Sequence, residues 1–159
     1  MIIKRFLIRA LDVKKDIEIL NSIVKYEDEV FGEGSVGLWN IKPIAKYGKI
    51  YSLLYEQGGF EEIVSVVEFI RSFEPERAYI YGVFTVNKYG KQGHAKILLE
   101  HVLEFMKEMG ITIVELTVQI SNENAVRLYK KLGFEIIEIL EDEYGDGNPR
   151  YLMRCIINK

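Results

Sequence analysis

One stretch limits what this chain can fold into more than any other. Ala78 to Val86 reads AYIYGVFTV, almost wholly apolar or aromatic. A strand with no polar face belongs inside a sheet that is covered on both sides. Lys88 to Gly93 follows as a polar loop holding Gly90 and Gly93. Beyond it, Ala95, Leu98, Leu99, Val102, Phe105, Met106 and Met109 fall on one helical face, with Lys96, Glu100, Glu104 and Lys107 opposite. Gly110 stands where such a helix ends. A buried strand therefore runs through a glycine turn straight into an amphipathic helix.

The rest of the chain can be read around that unit. Phe6 to Arg9 is a short first strand, and Asp12 is placed to cap the helix after it. Val13, Ile17, Leu20 and Val24 give that helix one apolar face, which then meets Glu27 and Asp28. A second short helix spans Leu38 to Lys46. Strands are predicted at Lys49–Glu56 and Glu61–Phe73, joined by a hairpin turn at Gln57-Gly58-Gly59. Ile111–Ile120 is β-rich, Asn122 opens a shorter helix that ends at Gly133, and Phe134–Leu140 and Tyr151–Ile157 are the last strands. The order is β-α-α-β-β-β-α-β-α-β-β. Such an order predicts an α/β (mixed α+β) fold: one central, mostly antiparallel sheet of six to seven strands with helices on both faces. With no linker and no repeat, residues 1–159 are expected to form a single domain.

Charge and composition remove whole classes of function. Net charge is −3, against the basic balance of a nucleic-acid binder, so no nucleic-acid partner is expected. No run approaches the ~20 apolar residues that span a bilayer, so no membrane partner is expected either. Cys155 is the one cysteine, which rules out an internal disulfide and suits a reducing, cytoplasmic setting. With only two histidines besides, no metal site is expected.

The chemistry points to the turn. Helix N-termini expose backbone amides and attract phosphate. Gly93 lets the backbone come close to a ligand, Ala95 does not obstruct it, and Lys88, Lys91 and Lys96 add positive charge. No Gly-Lys-Ser/Thr follows at P-loop spacing, and the three glycines of a dinucleotide fingerprint are missing. On these residues alone, a phosphate-binding turn and a plain strand-to-helix turn are equally good readings.

A second motif separates them. Ser121 to Phe134 reads SNENAVRLYKKLGF: Asn122-x-x-Ala125-x-x-Leu128-Tyr129, then a Gly133-Phe134 step into a strand. With Gly90-Lys91-Gln92-Gly93-His94-Ala95 before it, the chain resembles the GNAT acyltransferases. Their coenzyme loop reads Arg/Gln-x-x-Gly-x-Gly/Ala, and their later motif reads Asn-x-x-Ala-x-x-Leu-Tyr. The resemblance covers Ala78 to Phe134. Gly90 departs from the family's Arg or Gln, and it keeps the backbone amide that phosphate binding uses.

The resemblance implies an N-acetyltransferase that moves an acetyl group from acetyl-CoA to a primary amine, of a small molecule or a protein, by direct attack. The alternative is a domain that binds acyl-CoA as a sensor without turnover. It also implies roles. Phe84, Thr85 and Val86 would offer backbone groups to pantetheine. Lys91, Gln92, Gly93, His94, Ala95 and Lys96 would hold the pyrophosphate, with Asn122 and Ala125 beside the coenzyme. Tyr129 would act as the acid toward the leaving thiolate. Glu27 and Glu29, in an acidic cluster where the first helix frays, would favour a cationic acceptor. Glu68 and Glu115 are open candidates for the base. A homodimer is compatible with the family's C-terminal strands.

Overall fold

The computed structural model describes residues 4–158. Seven strands and four α-helices follow the expected order. They are β1 (Lys4–Ala10), α1 (Ile17–Phe31), α2 (Gly37–Tyr47), β2 (Lys49–Gln57), β3 (Phe60–Arg71) and β4 (Arg77–Thr85). Then come α3 (His94–Glu108), β5 (Ile113–Gln119), α4 (Glu123–Lys131), β6 (Glu135–Leu140) and β7 (Arg150–Ile156). One sheet takes all seven strands in the order β1-β2-β3-β4-β5-β7-β6. The β1/β2, β2/β3, β5/β7 and β6/β7 pairs are antiparallel, whereas β4 and β5 run parallel, with Arg77 opposite Ile113 and Tyr79 opposite Glu115.

The chain divides into two compact units. The first comprises the residues up to Ile70 with Tyr81–Val102. Its core is built by α1 and α2 laid on the sheet: Leu20, Ile23 and Ile41 pack with Ile50, Leu54 and Val66. Ile50 and Tyr51 point to opposite faces, as neighbours in a strand must. On the other face Tyr51 stacks with Phe69, and the His101 ring of α3 lies 5.6 Å from it. Helices therefore cover both faces of this part of the sheet. The second unit comprises Arg71–Ile80 with Leu103–Lys159. In it, Val114, Leu116, Phe134 and Met153 are buried.

One helix boundary departs from the sequence expectation. Asp12 does not cap α1. Its carboxylate accepts the amides of Lys14 and Lys15 at 2.8 and 2.9 Å, closing a separate turn, and α1 begins at Ile17. Asp16, just ahead of the helix, turns both oxygens to Arg9 at 2.8 Å. That pairing holds the Asp16 carboxyl below its usual range.

Candidate active site

β4 delivers the chain to the turn. Phe84, near its end, buries its ring beside Tyr26 of α1, and its carbonyl accepts the Ser65 hydroxyl at 3.0 Å. Thr85 meets the same hydroxyl at 3.0 Å. Val86 donates its amide to the Val64 carbonyl at 2.9 Å, so the strand's last rung is tied to β3. A single 3-10 turn over Asn87–Tyr89 follows.

The turn then opens. Lys91 and Gly93 both take the left-handed conformation, with φ of 58° and 79°. Gly93 supplies it at no steric cost, and a methyl group placed on its Cα would meet nothing within 4 Å. The first helical bond of α3 runs from the Ile97 amide to the Gly93 carbonyl. Among the described residues, no hydrogen bond takes the amides of residues 91–96. Six consecutive donors at the positive end of a helix make a cradle for an anion with several oxygens. The open space at Gly93 leaves room for one.

The side chains around this cradle are largely committed elsewhere. Lys88 pairs with Glu62, which also accepts the Tyr89 hydroxyl at 2.9 Å. Lys96 pairs with Glu100 at 2.8 Å. Gln92 and His94 face each other at 3.3 Å, and the His94 ring packs 5.1 Å from Phe6. Lys88 and Lys96 are thus paired, while the backbone amides of residues 91–96 stay without partners among the described residues.

In the second unit, Asn122 is the N-cap of α4 and accepts the Ala125 amide at 3.3 Å. Tyr129 is buried, with its ring 5.8 Å from Phe134. No hydrogen bond among the described residues engages its hydroxyl. Burial raises its pKa, and the one titratable group acting on it is Tyr79. Tyr79 is half-buried, and its hydroxyl lies 3.0 Å from that of Thr117. Neither residue stands out in the sequence: Tyr79 shares β4 with Tyr81, Thr117 lies between Glu115 and Gln119 on β5, and only the register of β4 on β5 brings the two together.

The carboxylates fall otherwise than expected. Glu115 is held by Arg77 and by Arg154 at 3.4 Å, an arrangement that fixes it as an ion-pair partner. Glu29 is exposed. Glu27 is not part of a solvated cluster: only 1% of it is exposed. One of its oxygens accepts the Val36 amide at 3.0 Å. Its carboxyl faces Glu68 of β3, which is wholly buried. Phe31 and Trp39 are both exposed.

Comparison with known proteins agrees with this geometry. Residues 18–134 match the Acetyltransferase (GNAT) family. An N-alpha-acetyltransferase of Sulfurisphaera tokodaii is 34% identical over 49% of this chain and 47% of its own length. The chain thus spans about half the length of that relative. N-alpha-acetyltransferase 50 of Danio rerio is 30% identical over 85% of this chain and 76% of its own. Among solved structures, one from the NatC complex bound to Gag peptide and CoA superposes with a TM-score of 0.85 at 18% identity, over 97% of this chain and 99% of that one. Arabidopsis thaliana NAA60 in complex with acetyl-CoA gives 0.83 at 20%, over 96% and 100%. The seven-stranded mixed sheet is the fold of these solved structures. The chain belongs to the acetyltransferase (GNAT) family.

Proposed function

We propose that this chain is an N-alpha-acetyltransferase, acting as one catalytic domain, that carries an acetyl group from acetyl-CoA to the α-amine of a protein. The observation that carries the reading is the run of unpaired amides over residues 91–96, opening α3 directly behind β4. The acceptor class is supported by the N-alpha-acetyltransferases among the relatives.

Acetyl-CoA when bound supplies a thioester whose carbonyl an amine can attack. The protein's part is to hold and to move protons. The amides of residues 91–96 hold the pyrophosphate, and their fit to an anion does not depend on an Arg or Gln at position 90. Phe84, Thr85 and Val86 line the path of pantetheine along β4. Asn122 stabilises the start of α4 and so fixes the helix that carries Tyr129. Tyr129 keeps its proton well past neutral pH because burial disfavours the phenolate. It is therefore loaded as an acid toward a leaving thiolate. Glu29, exposed on the last turns of α1 with Asp28 and Glu33 nearby, favours acceptors that carry positive charge.

The test is acetyl transfer from labelled acetyl-CoA to peptides with free α-amines, to the same peptides blocked at the N-terminus but carrying lysine, and to small amines. The reading predicts label on free α-amines alone. Equal labelling of small amines would contradict the acceptor class. Saturable acetyl-CoA binding without transfer to any amine would make the chain a sensor.

A further inference from the structure

Hydroxyls tie three strands of the first unit together where β4 ends. Ser52 of β2 and Ser65 of β3 are wholly buried, each inside an apolar run. The Ser52 hydroxyl reaches the Ser65 carbonyl at 3.1 Å. The Ser65 hydroxyl lies 3.0 Å from the Phe84 carbonyl and 3.0 Å from the hydroxyl of half-buried Thr85. Leu53 pairs with Ser65 and Leu54 with Ile63, so Val64 is the extra residue of a β-bulge beside this point. A bulge disrupts the regular ladder of a sheet, and the hydroxyls cross the strands next to it.

Proton counting gives this chain of bonds a direction. A serine hydroxyl has one proton to donate, and a carbonyl has none. Ser65 therefore donates to Phe84, and Thr85 donates to Ser65. With its proton committed, the Thr85 oxygen can act toward other groups only as an acceptor. The backbone here is fixed in the same way. Phe84 turns its carbonyl, and Val86 its amide, toward β3. Backbone groups alternate sides along a strand, so the amide and carbonyl of Thr85 face away from β3.

The fold does not need these hydroxyls. Alanine or valine in place of Ser52, Ser65 and Thr85 would continue the apolar runs, and replacing both partners of a buried bond by apolar groups is nearly neutral. Burying a hydroxyl is costly unless it is bonded, whereas a fully bonded network fixes one geometry. The geometry fixed here is that of the last peptide of β4, directly before the turn that leads to the amide cradle.

We propose that Ser65 is a positioning residue for the coenzyme: through Phe84 and Thr85 it sets the backbone amide and carbonyl of Thr85 that meet an amide of the pantetheine arm. The role rests on the coenzyme half of the proposed function, in which Phe84, Thr85 and Val86 line that arm. Ser65 itself touches no ligand. It holds the Phe84–Thr85 peptide from the β3 side, and Thr85 presents a fixed donor and a fixed acceptor on the other. An extended, amide-bearing chain binds such an edge as an added strand does, and a preset edge loses less freedom on binding.

The experiment separates the arm from the phosphates. Calorimetric titrations compare acetyl-CoA with ADP, which carries the pyrophosphate and no pantetheine. They are run on wild type, Ser65→Ala, Thr85→Val and Thr85→Ser, with circular dichroism checked for each. We expect Ser65→Ala and Thr85→Val to bind acetyl-CoA roughly three- to ten-fold more weakly, the effect of one hydrogen bond, and to bind ADP as wild type does. The KM for acetyl-CoA should rise by the same factor. Thr85→Ser, which keeps the hydroxyl, should recover most of the affinity. Equal weakening of both ligands would overturn the role, because it would mean a displaced turn and not a displaced arm. Unchanged acetyl-CoA binding by Ser65→Ala would overturn it too, and if that variant does not fold, unchanged binding by Thr85→Val does so. Wild type that binds neither ligand would overturn the coenzyme reading and this role with it. Wild type that binds both and acetylates no amine would overturn the acetyltransferase reading and leave this role standing.

Discussion

The turn over residues 86–96 and the Glu27–Glu68 centre are built on opposite principles. The turn offers backbone. Its amides at residues 91–96 have no partner among the described residues, Lys88 and Lys96 are tied into local pairs, and a side chain at Gly93 would meet open space. The carboxyl centre is built of side chains. It is sealed from solvent and made of three elements that the chain brings together from residues 27, 68 and 82. A backbone site tolerates much substitution but not the loss of its conformation. A side-chain site tolerates little change in its own chemistry but none of its neighbours need an unusual backbone.

The largest effect is expected at Tyr129, the proposed acid. Tyr129→Phe keeps the ring's packing on Phe134 and removes only the hydroxyl. We expect kcat to fall by roughly ten- to a hundred-fold with acetyl-CoA affinity unchanged, read by steady-state kinetics alongside direct binding. A matching loss of affinity would place the hydroxyl among the binding groups instead.

Stability separates the regions next. In the folded protein Glu68 is pushed up to about 10, from an ordinary 4.5, by burial and then by Glu27. Below the ordinary value both folded and unfolded chains hold the proton, and the group costs nothing. As pH climbs from that value toward the folded one, the unfolded chain releases its proton while the folded chain keeps it, so stability falls across the window. Glu68→Gln should therefore melt above wild type by at least about 5 °C near pH 8, with the gap closing near pH 4. A gap that did not change with pH would mean that Glu68 is ionised in the fold.

Local backbone effects are smaller. Asn122→Ala removes the cap of α4 and should cost about 1 kcal/mol in thermal or urea unfolding. Lys91→Gly relieves a left-handed residue in the turn and should stabilise by up to about 1 kcal/mol, without weakening coenzyme binding if the amides alone do the holding. Weaker binding would show that the Lys91 side chain contributes to the cradle.

How legible each part was follows from the same contrast. The element order could be read in full, because periodicity and glycine punctuation are local. Gly93 and Ala95 marked the cradle because backbone sites leave small residues at short spacing. The start of α1 was misplaced because a capping aspartate can serve a turn as well as a helix, and Asp12 serves the turn. Glu27 looked like one of a solvated cluster with Asp28 and Glu29. Its spacing from Leu20 and Ile23 put it on the buried stripe of α1, but its charge argued for water, and only Glu68, far along the chain, explains its burial. Two signs of the centre were nonetheless present in the sequence: a lone carboxylate inside the apolar run of β3, and a glycine inside the apolar run of β4. What joins them is sheet register, which no local pattern carries.

The central claim is that the coenzyme is held by the free amides at the start of α3. Calorimetric titration of wild type and Gly93→Glu with acetyl-CoA tests it most directly. The variant forces a side chain into a left-handed position and sets a carboxylate where phosphate should lie. We expect saturable one-to-one binding by wild type and none by a variant that still folds. Unaltered binding by Gly93→Glu, or no binding by wild type, would contradict it.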